Sequence, residues 1–92
     1  MPEQWIDLRF YAELRDLLPR RHRSGRVRHR VIETQSVKDL IESYGVPHTE
    51  VEVILADGAS VGFAHRPLAG QRISVYPVFE AFDVRPLIRL RP

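Results

Sequence analysis

Hydrophobic and polar residues alternate in two segments near the start of the chain. In residues 5–10 every second residue from Ile6 to Phe10 is apolar, and charged residues fall between them. Residues 26–32 alternate in the same way, with arginines on the polar side. A period of two is typical of strands that bury one face. The pattern therefore predicts two strands that pair with each other.

A helical spacing of apolar residues occurs in two other places. From Val37 to Tyr44 the apolar residues recur at intervals of three and four, which predicts an amphipathic helix. Ser36 is a suitable N-cap, and Gly45 supplies the left-handed residue with which many helices end. Residues 11–18 show a looser helical spacing, and we interpret them as a short helical or irregular crossing against the core.

Three further strands are predicted in the second half of the chain. Residues 51–56 form a nearly continuous apolar run, so we expect a strand buried on both faces. The Asp-Gly pair at residues 57–58 is a strong hairpin signal before a short returning strand at residues 60–63. Residues 72–77 alternate again. This order of elements predicts an α+β fold, in which one main helix packs across a mixed sheet of four to five strands.

The composition fits one small globular domain. The chain has 92 residues, of which 43% are hydrophobic and 28% charged. We assign residues 1–78 to the folded domain and residues 79–92 to an apolar and basic C-terminal tail. The chain has no cysteine, which excludes thiolate chemistry and suits a reducing compartment. Its apolar runs are far shorter than the ~20 residues that a membrane span needs, so we expect a cytoplasmic chain without membrane contact.

Three local sequences resemble bacterial sulfur-carrier proteins of the MoaD and ThiS type. They are FYAELRDLL at residues 10–18, ILADGASV at residues 54–61 and AGQRISVYP at residues 69–77. Those proteins have the ubiquitin-like β-grasp fold. The resemblance implies the same fold here, which agrees with the predicted order of strands and helix.

A second resemblance covers more of the chain. The segments are SVKDLIESYGVPHTEV at residues 36–51, VYPVFE at residues 75–80 and PLIRLRP at residues 86–92. They are similar to the ubiquitin-like domain that lies N-terminal to the Mut-seven C-terminal RNase domain, a PIN-like nuclease with a zinc ribbon. The resemblance implies a noncatalytic module that positions or regulates such a nuclease domain, in cis or in trans, and that assists RNA binding.

The C-terminal sequence bears on the alternative, a sulfur-carrier-like function. A sulfur carrier of the MoaD and ThiS type acts through a terminal Gly-Gly whose carboxylate is adenylated and thiolated. Here no glycine follows Gly70, and the sequence ends in Arg91 and Pro92. We therefore expect neither sulfur transfer nor ubiquitin-style conjugation through this end.

Arginines are concentrated between residues 20 and 30. The candidate nucleic-acid contacts are Arg20, Arg21, Arg23, Arg26, Arg28 and Arg30. The last three share one face of a predicted strand, and guanidinium groups match the geometry of phosphates. The alternative is a solvated loop and strand whose arginines pair with carboxylates or protect a sheet edge.

The tail contains large apolar residues beyond the predicted core. The candidate partner contacts are Phe79, Phe82, Leu87, Ile88 and Leu90. We expect them to dock on a nuclease domain or to form a homodimer, since an exposed apolar segment of this kind marks an interaction site. The alternative is that the tail folds back over the sheet of its own domain.

The sequence predicts no catalytic or metal site. The four histidines fall in separate predicted elements and lack the spacing of metal ligands. His29 has the parity of a core position, where a histidine with satisfied hydrogen bonds is the usual finding. There is no nucleophile-and-base set and no glycine-rich phosphate loop. We therefore expect no enzymatic activity, no cofactor and no metal.

Overall fold

The computed structural model describes residues 4–78, which form five strands, one α-helix and three short 3-10 helices. The strands are β1 (Trp5–Phe10), β2 (Arg26–Arg30), β3 (Val51–Ala56), β4 (Ala59–Val61) and β5 (Arg72–Pro77). The α-helix, α1, is Val37–Ser43, and the 3-10 helices are Ala12–Leu17, Arg20–His22 and His48–Glu50. None of the helices in residues 4–78 is long and apolar enough to span a membrane.

The five strands form one mixed sheet in the order β2-β1-β5-β3-β4. β1 and β5 are parallel neighbours inside the sheet, and the other neighbouring pairs are antiparallel. The two alternating segments near the start of the chain pair with each other as predicted, with Ile6 opposite His29 and Leu8 opposite Val27. Within residues 4–78, β2 and β4 are therefore the edge strands of the sheet.

Both ends of α1 carry the signals that the sequence predicts. The N–H of Asp39 donates a hydrogen bond of 3.2 Å to Oγ of Ser36, which is the side-chain contact of an N-cap. At the other end Gly45 has φ +90° and donates its N–H to the carbonyl of Glu42 at 2.9 Å. The buried side chains of the helix are Val37, Leu40 and Ile41.

The described residues form one hydrophobic core, which lies between α1 and one face of the sheet. β1 and β5 supply its centre, and two leucines from the segment after β1 close one side. The buried apolar residues are Ile6, Leu8, Phe10, Leu14, Leu18, Val27, Val37, Leu40, Ile41, Val46, Val51, Ile54, Ala56, Ile73 and Val75. The predicted α+β architecture, one main helix across a mixed sheet, is thus confirmed.

The prediction that the strand at residues 51–56 is buried on both faces is wrong. Val53 is 37% exposed and Leu55 is half-buried. The helix covers only one side of the sheet, and a register shift between Val51 and Val53 interrupts the alternation. An apolar run here indicates one core face and one open apolar face.

Two strand boundaries also differ from those predicted. β2 ends at Arg30 rather than at residue 32. The strand after the Asp-Gly turn is Ala59–Val61 rather than residues 60–63. A two-residue turn with positive φ at both positions, 51° at Asp57 and 87° at Gly58, pairs the flanking residues directly, so the returning strand begins at once.

Candidate binding site on the open face of the sheet

The outer face of the sheet is the side opposite α1, and it carries the charged residues of β1, β2 and β5. Within these three neighbouring strands they are Asp7, Arg9, Arg26, Arg28, Arg30 and Arg72. The alternation of each strand sends the apolar side chains into the core and these side chains outward. Three adjacent strands therefore hold five positive charges and one negative charge on the same face.

Arg26, Arg28 and Arg30, here called the arginine row, lie along the β2 edge beside Trp5. The guanidinium carbon of Arg28 is 4.5 Å from the centroid of the Trp5 ring, and that of Arg30 is 5.9 Å away. These distances lie within the range of cation–π attraction. Trp5 is the register partner of Arg30, so pairing of β1 with β2 brings the indole under the row. A shallow groove of about 430 Å³ runs between the row and Trp5.

Asp7 pairs with arginines of β1 and β5. Its Oδ2 lies 3.3 Å from a guanidinium nitrogen of Arg9 and 3.5 Å from Nε of Arg72. The hydrogen bond to Asp7 raises the pKa of Arg9 further above its ordinary value, so this guanidinium stays charged. Arg28 is the register partner of Asp7 in β2, but its guanidinium lies over Trp5.

The other end of the outer face is aromatic and apolar. The rings of Tyr11 and Tyr76 stack with centroids 4.6 Å apart and planes 4° from parallel. A second shallow groove, of about 580 Å³, extends from this stack past Arg72. Val53 is the register partner of Tyr76, and Leu55 follows on the same strand. We call Val53, Leu55 and Val78, the last 39% exposed, the apolar corner.

The predicted nucleic-acid contacts fall in two places. Arg20, Arg21 and Arg23 lie in and after the second 3-10 helix, whose His22 ring packs edge-on against Tyr44 at 5.5 Å. Burial raises the pKa of Tyr44, and the charge of Arg21 opposes that shift. The structure therefore separates these arginines from the arginine row, because the chain passes from the helix side to the β2 edge between them.

His29 is a histidine with satisfied hydrogen bonds, as its parity predicts. Its Nδ1 lies 2.8 Å from the hydroxyl of Tyr44, and its Nε2 lies 3.0 Å from Oε1 of Gln35. These contacts tie the inner side of β2 to the end of α1. Among residues 4–78 no group of three or more histidine, aspartate and glutamate residues could hold a metal ion.

Sequence reasoning did not select Trp5, Tyr11, Arg9, Arg72 or Tyr76 as site residues. The alternation in residues 5–10 already places the first of them on the polar side of its strand. Nothing in the local sequence indicates that β1 and β5 are neighbours, because the two strands are joined only by long-range pairing. The predicted partner contacts Phe79, Phe82, Leu87, Ile88 and Leu90 lie outside the described residues and stay predictions.

Solved structures of archaeal proteins share this fold. The crystal structure of small archaeal modifier protein 1 of Haloferax volcanii aligns with 83% of this chain and 99% of its own, at 15% identity and a TM-score of 0.62. The solution structure of the Haloferax volcanii HVO 2177 protein aligns with 84% of this chain and 85% of its own, at 22% identity and a TM-score of 0.64. At these identities the likeness concerns the fold, which is the ubiquitin-like β-grasp fold that the sequence predicts.

No curated protein matches the chain, but a family model does. The model described as Mut7-C ubiquitin matches residues 3–83, which is most of the chain and includes every strand and helix described above. The chain therefore belongs to the Mut7-C ubiquitin family of ubiquitin-like domains.

Proposed function

We propose that this chain is a noncatalytic ubiquitin-like interaction module that positions or regulates a PIN-like RNase domain, in cis or in trans, and that assists RNA binding. Membership of the Mut7-C ubiquitin family supports the choice of partner. The observation that carries the proposal is the outer face of the sheet, where, within residues 4–78, exposed arginines and Val53 lie together with half-buried aromatic rings. Such a surface suits binding, since rigid elements hold contact residues in place.

The apolar corner is the part of the outer face that we assign to the nuclease domain. Val78 is exposed directly after β5, and the exposed Val53 is the register partner of Tyr76 near the end of the same strand. Desolvating such a patch against a partner gives the favourable apolar term of most protein associations. The tail residues predicted from the sequence extend this contact in our proposal, and they are also the proposed contacts of a homodimer.

The module acts by placement rather than by chemistry in this proposal. Holding a nuclease domain against one surface and an RNA against another raises the effective concentration of one for the other. The lack of cysteine suits the reducing cytoplasm, where we place this activity.

The test is association with a separately purified RNase domain of the Mut7-C type. Val53→Glu places a charge in the apolar corner and is expected to weaken binding at least about tenfold, as a buried unpaired charge is costly. Ile32→Glu is the matched control, because Ile32 is 50% exposed beside the opposite edge of the sheet. Isothermal titration calorimetry measures both. No binding by the unaltered chain, or equal loss in the two variants, would contradict the proposal.

The alternative function is that of a sulfur-carrier-like protein. The observation in favour of this alternative is the likeness in fold to a small archaeal modifier protein. The two functions make different demands on the C-terminus, because activation needs a narrow, mobile end. Coexpression with an activating enzyme of the ubiquitin-like pathway, followed by intact mass measurement, separates them. A thiocarboxylate or adenylate on Pro92 would support the alternative, and an unchanged mass is the result that we expect.

A further inference from the structure

The positive charge of the outer face is organised in two dimensions. The arginine row lies on β2, Arg9 lies opposite Arg26 on β1, and Arg72 lies opposite Asp7 on β5. Asp7 is the one acidic residue in β1, β2 and β5, and its carboxylate pairs with Arg9 and Arg72. The arginine row lies along the β2 edge, with same-face residues about 7 Å apart.

Aromatic rings lie at both ends of this charged area. Trp5 begins β1, and Tyr11 follows directly after β1 with its ring stacked on Tyr76. A strand rises about 3.3 Å per residue, so the two ends are about 20 Å apart. The indole N–H of Trp5 and Nε of Arg9 are buried beneath this surface, and neither has a hydrogen-bond partner within the part of the chain that the structure describes. A flat, basic surface with an aromatic ring at each end results.

We propose that the outer face of β1, β2 and β5 binds single-stranded nucleic acid, with the arginine row along the phosphates, Tyr11 against a base, and Trp5 beneath Arg28 beside the bound strand. Proteins that bind single strands combine a basic groove with aromatic side chains, on which any base can stack. Arginine suits this role because its planar guanidinium binds phosphate and also stacks on rings, as Arg28 does on Trp5. An extended single strand fits a flat sheet, whereas a duplex presents its bases only in grooves.

This inference deepens the proposed function, on which it rests for its biological setting, and it names a separate surface. Arg20, Arg21 and Arg23 are not part of the site, because they lie in and after the 3-10 helix whose His22 packs on Tyr44 at the end of α1. The apolar corner adjoins the site but contains no arginine. The two surfaces can therefore be altered one at a time.

The main experiment measures binding of the full chain to a fluorescein-labelled oligonucleotide of about 12 nucleotides, within the range of known single-strand sites. Arg26→Gln with Arg28→Gln is compared with Arg20→Gln and Arg21→Gln, which remove the same charge from the other side. We expect the first pair to weaken binding at least about tenfold and to reduce the slope of log K against log salt by about 1.4, as for two lost phosphate contacts. The second pair is expected to change the affinity by less than about twofold and the salt slope by less than about 0.3. Equal effects of the two pairs would overturn the inference.

A second readout comes from the chain's single tryptophan, which lies in the proposed site. Binding is expected to quench Trp5 fluorescence in the unaltered protein and in the Arg20/Arg21 variant. Tyr11→Ser is expected to weaken binding about tenfold by removing one stacking platform. RNA and DNA of the same sequence are both tested, and binding of either with quenching supports the inference. Equal or stronger quenching by poly-glutamate or by anionic phospholipid vesicles would show a general anion surface and overturn it.

Failure of this inference is distinguishable from failure of the proposed function. If the Arg26/Arg28 variant binds the RNase domain normally while the unaltered chain binds no oligonucleotide, only the nucleic-acid site is refuted. If Val53→Glu and the unaltered chain both bind the oligonucleotide while neither binds the RNase domain, only the nuclease partner is refuted. Circular dichroism of each variant checks that it is folded, and glutamine removes the charge while keeping a polar side chain that matches arginine as far as Cδ.

Discussion

At the scale of single residues, Gly25 shows how a backbone conformation joins two parts of the fold. It has φ +87° and precedes β2. Its carbonyl accepts the N–H of Phe10 at 2.7 Å, and its own N–H donates to the carbonyl of His22 at 2.8 Å. A Cβ at this position would lie 2.5 Å from the carbonyl oxygen of Phe10 and 2.8 Å from Cδ of Arg15. The first of these atoms belongs to β1 and has little freedom to move.

We expect Gly25→Ala to destabilise the domain by about 3 kcal/mol or more, because the left-handed backbone and the close approach both penalise a side chain. Gly58→Ala is the matched control. Gly58 also has φ +87°, but nothing lies within 4 Å of the position of its Cβ. The control should cost about 1 kcal/mol, from the backbone conformation alone. Urea unfolding at constant m measures both, and equal losses would show that the contact with Phe10 is unimportant.

The residue scale also shows what parity along a strand predicts and what it does not. The inward positions of β1 and β5, such as Leu8 and Val75, are buried as the alternation indicates. Ser74 is buried as well, although it lies on the outer face of β5 beside its register partners Arg9 and Leu55. Its burial depends on side chains from two other strands. The residues around Ser74 in the sequence do not indicate which side chains of β1 and β3 lie beside it.

At the scale of elements, the contact between Glu42 and His48 fastens the end of α1 to the third 3-10 helix. Oε2 of Glu42 accepts a hydrogen bond of 3.0 Å from the backbone N–H of His48, and it lies 2.7 Å from Nδ1 of the same residue. The hydrogen bond with the His48 side chain, followed by that with the backbone N–H, lowers the pKa of Glu42 below its usual value of 4.5. Lys38 contributes less, with its Nζ 3.9 Å from Oε1.

This contact gives a pH dependence with a definite sign. A carboxyl group whose pKa is lower in the folded state stabilises the fold above its unfolded pKa, and that contribution is lost as the pH falls through the folded pKa. We expect His48→Ala to raise the pKa of Glu42 toward 4.5. Lys38→Ala should raise it by less. An NMR titration of the Glu42 side chain measures both shifts, and a larger shift in the lysine variant would contradict this account.

Element boundaries follow from short-range signals where those signals are strong. Ser36 and Gly45 mark the ends of α1 in the sequence, and the structure has the helix between them. The segment Ala12–Leu17 is a 3-10 helix rather than an α-helix, in keeping with its looser spacing. Tyr11, the residue before this 3-10 helix, stacks on Tyr76 near the other end of the described chain. No local pattern predicts this contact.

At the scale of the whole molecule, the buried residues of the hydrophobic core in the described range all lie between Ile6 and Val75. We therefore expect a chain shortened to residues 1–78 to unfold cooperatively, with a free energy of unfolding within about 1 kcal/mol of that of the full chain. Urea unfolding followed by circular dichroism measures this. A much larger loss would mean that residues 79–92 stabilise the domain, as expected if the tail folds back over its own sheet.

The shortened chain also tests how the surfaces are divided. If the nucleic-acid site is confined to β1, β2 and β5, oligonucleotide binding and Trp5 quenching should survive the truncation. Association with the RNase domain should weaken, since the proposal includes the tail residues in that contact. These opposite responses come from one variant whose core is unchanged.

The sequence by itself determined the number, order and type of the main elements, the ends of α1 and the inward residues of most strands. It did so because alternation, helical spacing, caps and turn residues act over a few positions of the chain. Only the tertiary structure decided that β1 and β5 are parallel neighbours, that β3 has one open face, and that the arginines divide between two sides of the sheet. Those features depend on pairing between distant segments, where the burial of one face of the whole sheet under α1 selects the arrangement.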